Sequence, residues 1–180
     1  MSDMKKAKTL IGVVIVIVLA VLVFAALERL VVPKYQKGIL EGSMIEEYYD
    51  DKAPHEVVMI GDCELYENIS TAELYREYGI SSFIRGSAEQ LVWQSYYLLE
   101  DTLMYETPKV VIFNVAALQF DQPQSEAYNR MTLDGMRWSG VKADAIRASM
   151  MEDEHFIDYV FPILRYHSRW NELKAEDFRY

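Results

Sequence analysis

A membrane-anchored α/β domain with a parallel sheet is the fold class this sequence predicts, and three observations predict it. Residues 10–27 (LIGVVIVIVLAVLVFAAL) are one uncharged apolar run. Short continuous apolar runs at 56–61, 80–84 and 109–115 then alternate with two stretches of helical character. Strand, helix, strand, helix, strand within about sixty residues is the pattern of a parallel sheet, and right-handed crossovers put helices on both of its faces. Finally, the composition of 51% apolar and 13% aromatic residues supports a packed core and excludes global disorder.

The apolar run at 10–27 is about 27 Å long as a helix, close to the roughly 30 Å of hydrocarbon in a bilayer. Lys5, Lys6 and Lys8 precede it, while Glu28 and Arg29 nearly cancel after it. The positive-inside bias therefore keeps the amino terminus cytoplasmic and puts the rest outside, as a single-pass cell-membrane protein. The rival is a cleaved signal peptide. Its apolar region usually has about 7–15 residues, and Ala25-Ala26-Leu27 is a poor cleavage site. The expected organisation is a basic tail at 1–9, an anchor at 10–27, a stalk or linker at 28–55 and the α/β domain at 56–180.

Each element has its own signal. Residues 56–61 (EVVMIG) read as a buried parallel strand, apolar throughout and ended by glycine. Ser70 with Glu73 is a capping box that opens a helix at 71–78, which Gly79 stops. Residues 80–84 are the second strand. Ser87 with Gln90 reads as another capping box, opening a long helix at 88–106 whose apolar positions include Leu91, Val92, Tyr96, Leu99 and Leu103, with Trp93, Tyr96 and Tyr97 over the sheet. Pro108 closes it, and 109–115 (KVVIFNV) is the strongest strand. Residues 116–138 read as loop. Helices are expected at 140–151 and 153–166, the second kinked or ended by Pro162. Three strands leave one sheet edge in need of pairing or cover.

Residues 1–34 hold five of the 18 basic and two of the 28 acidic side chains, which leaves 35–180 at a net charge of −13. That balance excludes nucleic acid as a partner, because phosphate binding needs clustered Lys and Arg. Cys63 is the single cysteine, so no intramolecular disulfide forms. No Cys/His spacing suggests a zinc site and no carboxylate motif another metal, so no cofactor is expected.

Chemistry concentrates at Gly61-Asp62-Cys63-Glu64, directly after the first strand. A glycine there permits a tight turn at the carboxyl edge of the sheet, where open α/β proteins bind ligands. A Cys63 heading the next helix has backbone N–H groups aimed at it, which favours a thiolate nucleophile. The plain alternative is a small buried hydrophobe. Gly86 follows the second strand and Asn114 ends the third, so three strands deliver Cys63, Gly86 and Asn114 to one edge. A nucleophile, a backbone N–H and an amide donor are the parts of an acyl-transfer site with an oxyanion hole. Separately, Gly86 is an ordinary turn glycine and Asn114 an ordinary strand end.

On these residues the stretch from Glu56 to Phe178 resembles the amino-terminal half of SGNH/GDSL-type hydrolases, in particular membrane-anchored bacterial relatives of the D-alanyl-lipoteichoic acid transfer protein family. Gly61-Asp62-Cys63 stands where that superfamily has Gly-Asp-Ser, and Gly86 in FIRGSAEQ matches its oxyanion glycine. Asn114 in IFNVAAL matches the asparagine of its third block, without that block's glycine or second polar residue. The segments QSYYLLEDTL, TPKVVIFNV, NRMTLDGMRWS and RYHSRWNEL are similar as well. The resemblance implies a three-layer, flavodoxin-like sandwich. It also implies acyl transfer or ester hydrolysis on an acylated envelope glycan or teichoic-acid-like polymer, with a multi-spanning membrane acyltransferase as partner.

Two departures stand out. Cysteine replaces serine, which keeps acyl chemistry as a thioester and adds redox sensitivity. The family's Asp-x-x-His block is absent from these 180 residues, so the resemblance implies a chain that continues to it. None of His55, His155 and His167 has Asp three residues earlier. His55 and His155 read as surface residues. His167 and Arg169, in a basic aromatic stretch, are candidates for substrate or partner contact, and Asp62 and Glu64 are candidate supporting residues beside Cys63. The alternative function is a catalytically inactive binding or assembly module of the envelope, or a truncated product without activity.

Overall fold

The computed structural model describes residues 2–33 and 40–178. The chain divides into two compact units, Tyr35–Tyr159 and Met1–Lys34 with Val160–Tyr180.

The first unit holds the sheet: β1 (Val57–Gly61), β2 (Ser82–Gly86) and β3 (Val110–Phe113), all parallel, in the order β2-β1-β3. Helix α2 (Leu40–Glu47) leads into it, α3 (Cys63–Asn68) and α4 (Thr71–Tyr78) join β1 to β2, and α5 (Val92–Leu103) joins β2 to β3. After β3 come α6 (Glu126–Leu133), α7 (Gly140–Ser149) and α8 (Phe156–Val160). Central β1 is buried on both faces, as a continuous apolar run requires. Val58 and Ile60 pack with Ile45, Leu98, Leu133, Ile146 and Tyr159. Met59 packs on the other side with Met44, Leu65, Ile84 and Leu74. Helices thus cover both faces, in an α/β sandwich.

Local signals fix α4. Ser70 Oγ accepts the Glu73 N–H at 3.2 Å, and Gly79 ends the helix in the left-handed region at φ 69°. The second strand begins two residues later than expected. The long helix starts at Val92, because Ser87 turns inward to Thr132 Oγ1, 2.5 Å away, instead of capping. Its phase also differs. The buried stripe is Gln94, Ser95, Leu98, Asp101 and Thr102, while Tyr96 and Leu103 are each 52% exposed, so Tyr96 does not cover the sheet. The presumed loop after β3 contains a 3-10 turn at Ala116–Gln119 and α6, capped by Ser125. Pro162 separates α8 from α9 (Ile163–Tyr166). Along β3, Val110, Ile112 and Phe113 are exposed, so the expected open edge is found there.

Of the stretch read as a stalk, residues 34–39 lie outside the described residues, while α2 belongs to the sheet unit and seats Ile45 in its core. Gly135 lets α2 approach, since a Cβ there would lie 2.8 Å from Ile45 Cβ. The segment after α2 is clasped to the end of α5. Glu106 accepts from the His55 backbone N–H (2.8 Å) and the Tyr48 hydroxyl (2.8 Å), and its Oε1 lies 2.9 Å from His55 Nδ1. His55 is therefore buried, not the surface residue expected, since its partner is 51 positions away. Burial pushes the Glu106 carboxyl up, but the His55 and Tyr48 hydrogen bonds outweigh it and hold the group below its usual range. The Ala53 N–H, helped by His55, holds Asp51 low as well. A carboxylate depressed in the folded state adds stability that is present above its unfolded pKa and is lost as pH falls through the folded one. Urea midpoints should therefore drop below about pH 4, and Glu106→Gln should flatten that acid limb; parallel limbs in both proteins would refute the clasp.

The second unit is built on α1 (Ser2–Val31). Among the described residues it is the one helix long and apolar enough to cross a membrane, and none of its apolar window is buried in the protein. The last turns of α1 meet α9 and the 3-10 turns at His167–Asn171 and Ala175–Phe178.

Candidate functional site

The carboxyl edge of the sheet gathers four of the residues singled out in the sequence. Gly61 and Gly86 are register partners across β1 and β2. Asn114 follows β3 and packs against Gly61 so closely that a Cβ on Gly61 would stand 2.4 Å from the Asn114 Cβ. A Cβ on Gly86 would lie 2.8 Å from the Gly61 carbonyl oxygen and 3.1 Å from the Tyr66 ring. Both glycines are needed for close approach, not for unusual dihedral angles. Cys63, two residues past Gly61, opens α3 and is half-buried.

Asp62 organises this edge. It is buried and caps α3, with Oδ1 accepting the Glu64 N–H at 3.1 Å. The same oxygen accepts the Asn114 side-chain amide at 2.5 Å, and Asn114 Oδ1 accepts the Ala116 N–H at 2.8 Å. Asn114 thereby ties the end of β3 to the start of α3, with one amide hydrogen committed to Asp62 and no acceptor for the other among the described residues. Glu64 is exposed on the first turn of α3.

A residue absent from the sequence reading joins them. Glu89 has φ 53°, the only non-glycine residue with positive φ among those described, a conformation that costs about 1 kcal/mol or more and clusters at functional sites. Its backbone N–H is near enough to the Cys63 thiol to favour the thiolate. Its Oε2 is buried and finds no hydrogen-bond partner among the described residues. The turn that carries it is held from below by a buried polar network. Ser87 meets Thr132, Gln90 donates to Ser95 Oγ at 2.9 Å, and Gln94 donates to Asn129 Oδ1 at 2.6 Å. Asn129 donates in turn to the Ser149 carbonyl and the Tyr159 hydroxyl. Reading Ser87 and Gln90 as a helix cap hid Glu89 inside a helix.

Electrostatics at Cys63 run against a thiolate. Burial, then the Asp62 and Glu67 carboxylates, push the thiol up, and the Glu89 and Cys63 backbone N–H groups offset this only in part. The thiolate support expected from the helix start is thus outweighed, first by burial of the thiol and then by the Asp62 carboxylate that caps the turn. No histidine relieves this within the sheet unit. His55 sits at the other end of β1, whose five residues span about 16 Å, and it is engaged by Glu106 and Asp51 around a cavity of about 320 Å³. His155 is exposed. His167 and Arg169 belong to the other unit: His167 Nδ1 lies 2.8 Å from the Leu164 carbonyl, and Arg169 donates to the Val31 carbonyl at 2.5 Å. Among the described residues no cluster of three or more His, Cys, Asp or Glu side chains is placed to hold a metal ion.

No family model, curated protein or solved structure matches this chain.

Proposed function

We propose that the chain is an extracytoplasmic SGNH-like protein that transfers or hydrolyses acyl groups on an envelope glycan or teichoic-acid-like polymer. The observation that carries this reading is the convergence of Gly61, Gly86 and Asn114 beside Cys63 at one sheet edge. In the reaction Cys63 Sγ attacks the acyl carbonyl, and the free Asn114 amide hydrogen and nearby backbone N–H groups hold the oxyanion. The carbonyl re-forms as the polymer hydroxyl leaves with a proton, giving a Cys63 thioester. Water or an acceptor hydroxyl then releases the acyl group and restores the thiol. The resemblance implies an Asp-x-x-His block as the general base for both steps. Charge asymmetry around α1 supports an extracytoplasmic side for this chemistry, where the resemblance implies a multi-spanning acyltransferase partner.

One observation favours a second reading, a non-catalytic envelope module that retains the fold: the raised thiol of Cys63. Two measurements separate them. Iodoacetamide labelling of Cys63 should titrate above the ordinary thiol value of about 8.5; a midpoint below it would overturn the electrostatic account. Turnover of a panel of acylated glycans that is lost in Cys63→Ala supports the enzyme, and turnover equal to blank in both proteins leaves the module.

A further inference from the structure

The chain returns to the outer end of its membrane helix. Three contacts set the level at which it arrives. The Phe161 ring packs edge-on against Phe24, with centroids 6.0 Å apart and an interplanar angle of 80°. The Ile163 N–H reaches Glu28 Oε1 at 3.4 Å. Arg169 Nη1 donates to the Val31 carbonyl at 2.5 Å, closing the carboxyl end of α1, and Asp177 holds the same guanidinium at 3.3 Å.

The apolar run of α1 ends at Leu27. Phe24 is three residues before that point and Val31 four residues after it, so the contacts span from about 4–5 Å inside the hydrocarbon boundary to about 6 Å outside it. Headgroup zones add roughly 5–7 Å on each side of the hydrocarbon. The returning segment therefore occupies the depth of the headgroups. Ile163, Tyr166 and Leu173 are half-buried, but four other large apolar side chains stay open at that depth. Phe161 is 41% exposed, Leu164 49%, Trp170 56% and Phe178 67%. Exposed aromatic residues at this level are the composition of an interfacial belt, where amphipathic rings sit among headgroups. Arg165, Arg169 and Lys174 are balanced in number by Glu172, Glu176 and Asp177, so the attraction is apolar and interfacial and needs no anionic lipid.

We infer that residues 160–178 form a collar seated in the outer headgroup layer, with Phe161, Leu164, Trp170 and Phe178 inserted between lipids. The inference rests on the reading of α1 as a membrane span. The bilayer then holds the chain at two places far apart in sequence, on either side of the sheet unit.

Depth measurement tests this on the full chain in phosphatidylcholine nanodiscs. In a Cys63→Ser background, a nitroxide is attached through Leu164→Cys or Trp170→Cys, with Val18→Cys marking mid-span and Glu152→Cys marking water. Collar labels are expected to favour oxygen over a nickel chelate several-fold more than the Glu152 position does, and less than Val18 does. Collar labels that match Glu152 while Val18 remains in lipid overturn the collar and leave the span intact. A Val18 label open to nickel overturns the span, and the collar with it. Labels shielded from both reagents place protein over the segment, which also overturns it. Brominated phosphatidylcholine provides a check with no label: it should quench wild-type emission, and Trp170→Phe should remove the quenched fraction. Unquenched wild-type protein counts against the collar.

Discussion

Asp101→Ala is expected to lower the unfolding free energy by about 3–5 kcal/mol, the usual result of stripping one partner from a buried ion pair. Asp101 and Arg85 are both fully buried and meet at 2.9 Å. Arg85 also donates to the Leu98 carbonyl and Thr102 Oγ1 and stacks 4.1 Å over the Tyr48 ring. The Tyr49 hydroxyl donates to Asp101 at 2.6 Å and accepts from Arg85 at 3.0 Å. Removing the carboxylate leaves a guanidinium in the core with no counter-charge beside it. Arg85→Met combined with Asp101→Leu should recover most of the loss, because desolvation then opposes folding no longer. Urea unfolding of the full chain in detergent measures both. A single-variant loss under about 1 kcal/mol, the scale of an exposed pair, would remove this pair from its central place.

The second large effect is expected from Gly61→Ala. The new methyl would stand 2.4 Å from Asn114 Cβ and 3.3 Å from Asn114 N, atoms that move only with the backbone of the β3 end. Overpacking of this kind costs about 1–3 kcal/mol. It also shifts Asn114 from Asp62 and misplaces the proposed oxyanion donor, so acyl turnover should fall by about 10²-fold or more. Gly140→Ala, where nothing lies within 4 Å, is the control and should leave both quantities unchanged. Wild-type turnover in Gly61→Ala would show that Asn114 does not act on the reacting carbonyl.

Elements whose signals are local were legible in the sequence. β1 and β3 are unbroken apolar runs, and α4 carries its start and stop within ten residues. The meeting of Gly61, Gly86 and Asn114 was legible too, because strand ends in a parallel sheet share an edge. Elements whose buried face is polar were not. α5 turns Gln94, Asp101 and Thr102 inward, and α6 buries Asn129, Arg130 and Thr132, so apolar periodicity pointed to the wrong phase in one and to no helix in the other. Those side chains are inside because their partners are there, and the partners are remote: Gln94 to Asn129 spans 35 positions and Arg85 to Tyr49 spans 36. His55 and Glu89 escaped for related reasons. Burial of His55 depends on Glu106, and the positive φ of Glu89 depends on the turn that Ser87 anchors below it.

The bond between Ile163 and Glu28 joins positions 135 apart. Synthesis runs from the amino terminus, and domains generally fold as units in that order. With α1 already made, every residue of the Tyr35–Tyr159 unit can be made and packed before Ile163 exists. The oldest segment of the chain is thus the one that waits longest for its contacts. Closing a loose loop of that length costs ~4 kcal/mol in chain entropy, but a middle section that has already folded has given up much of that freedom. The unit built on α1 is therefore a late step in biogenesis, one that the folding of the Tyr35–Tyr159 unit can precede.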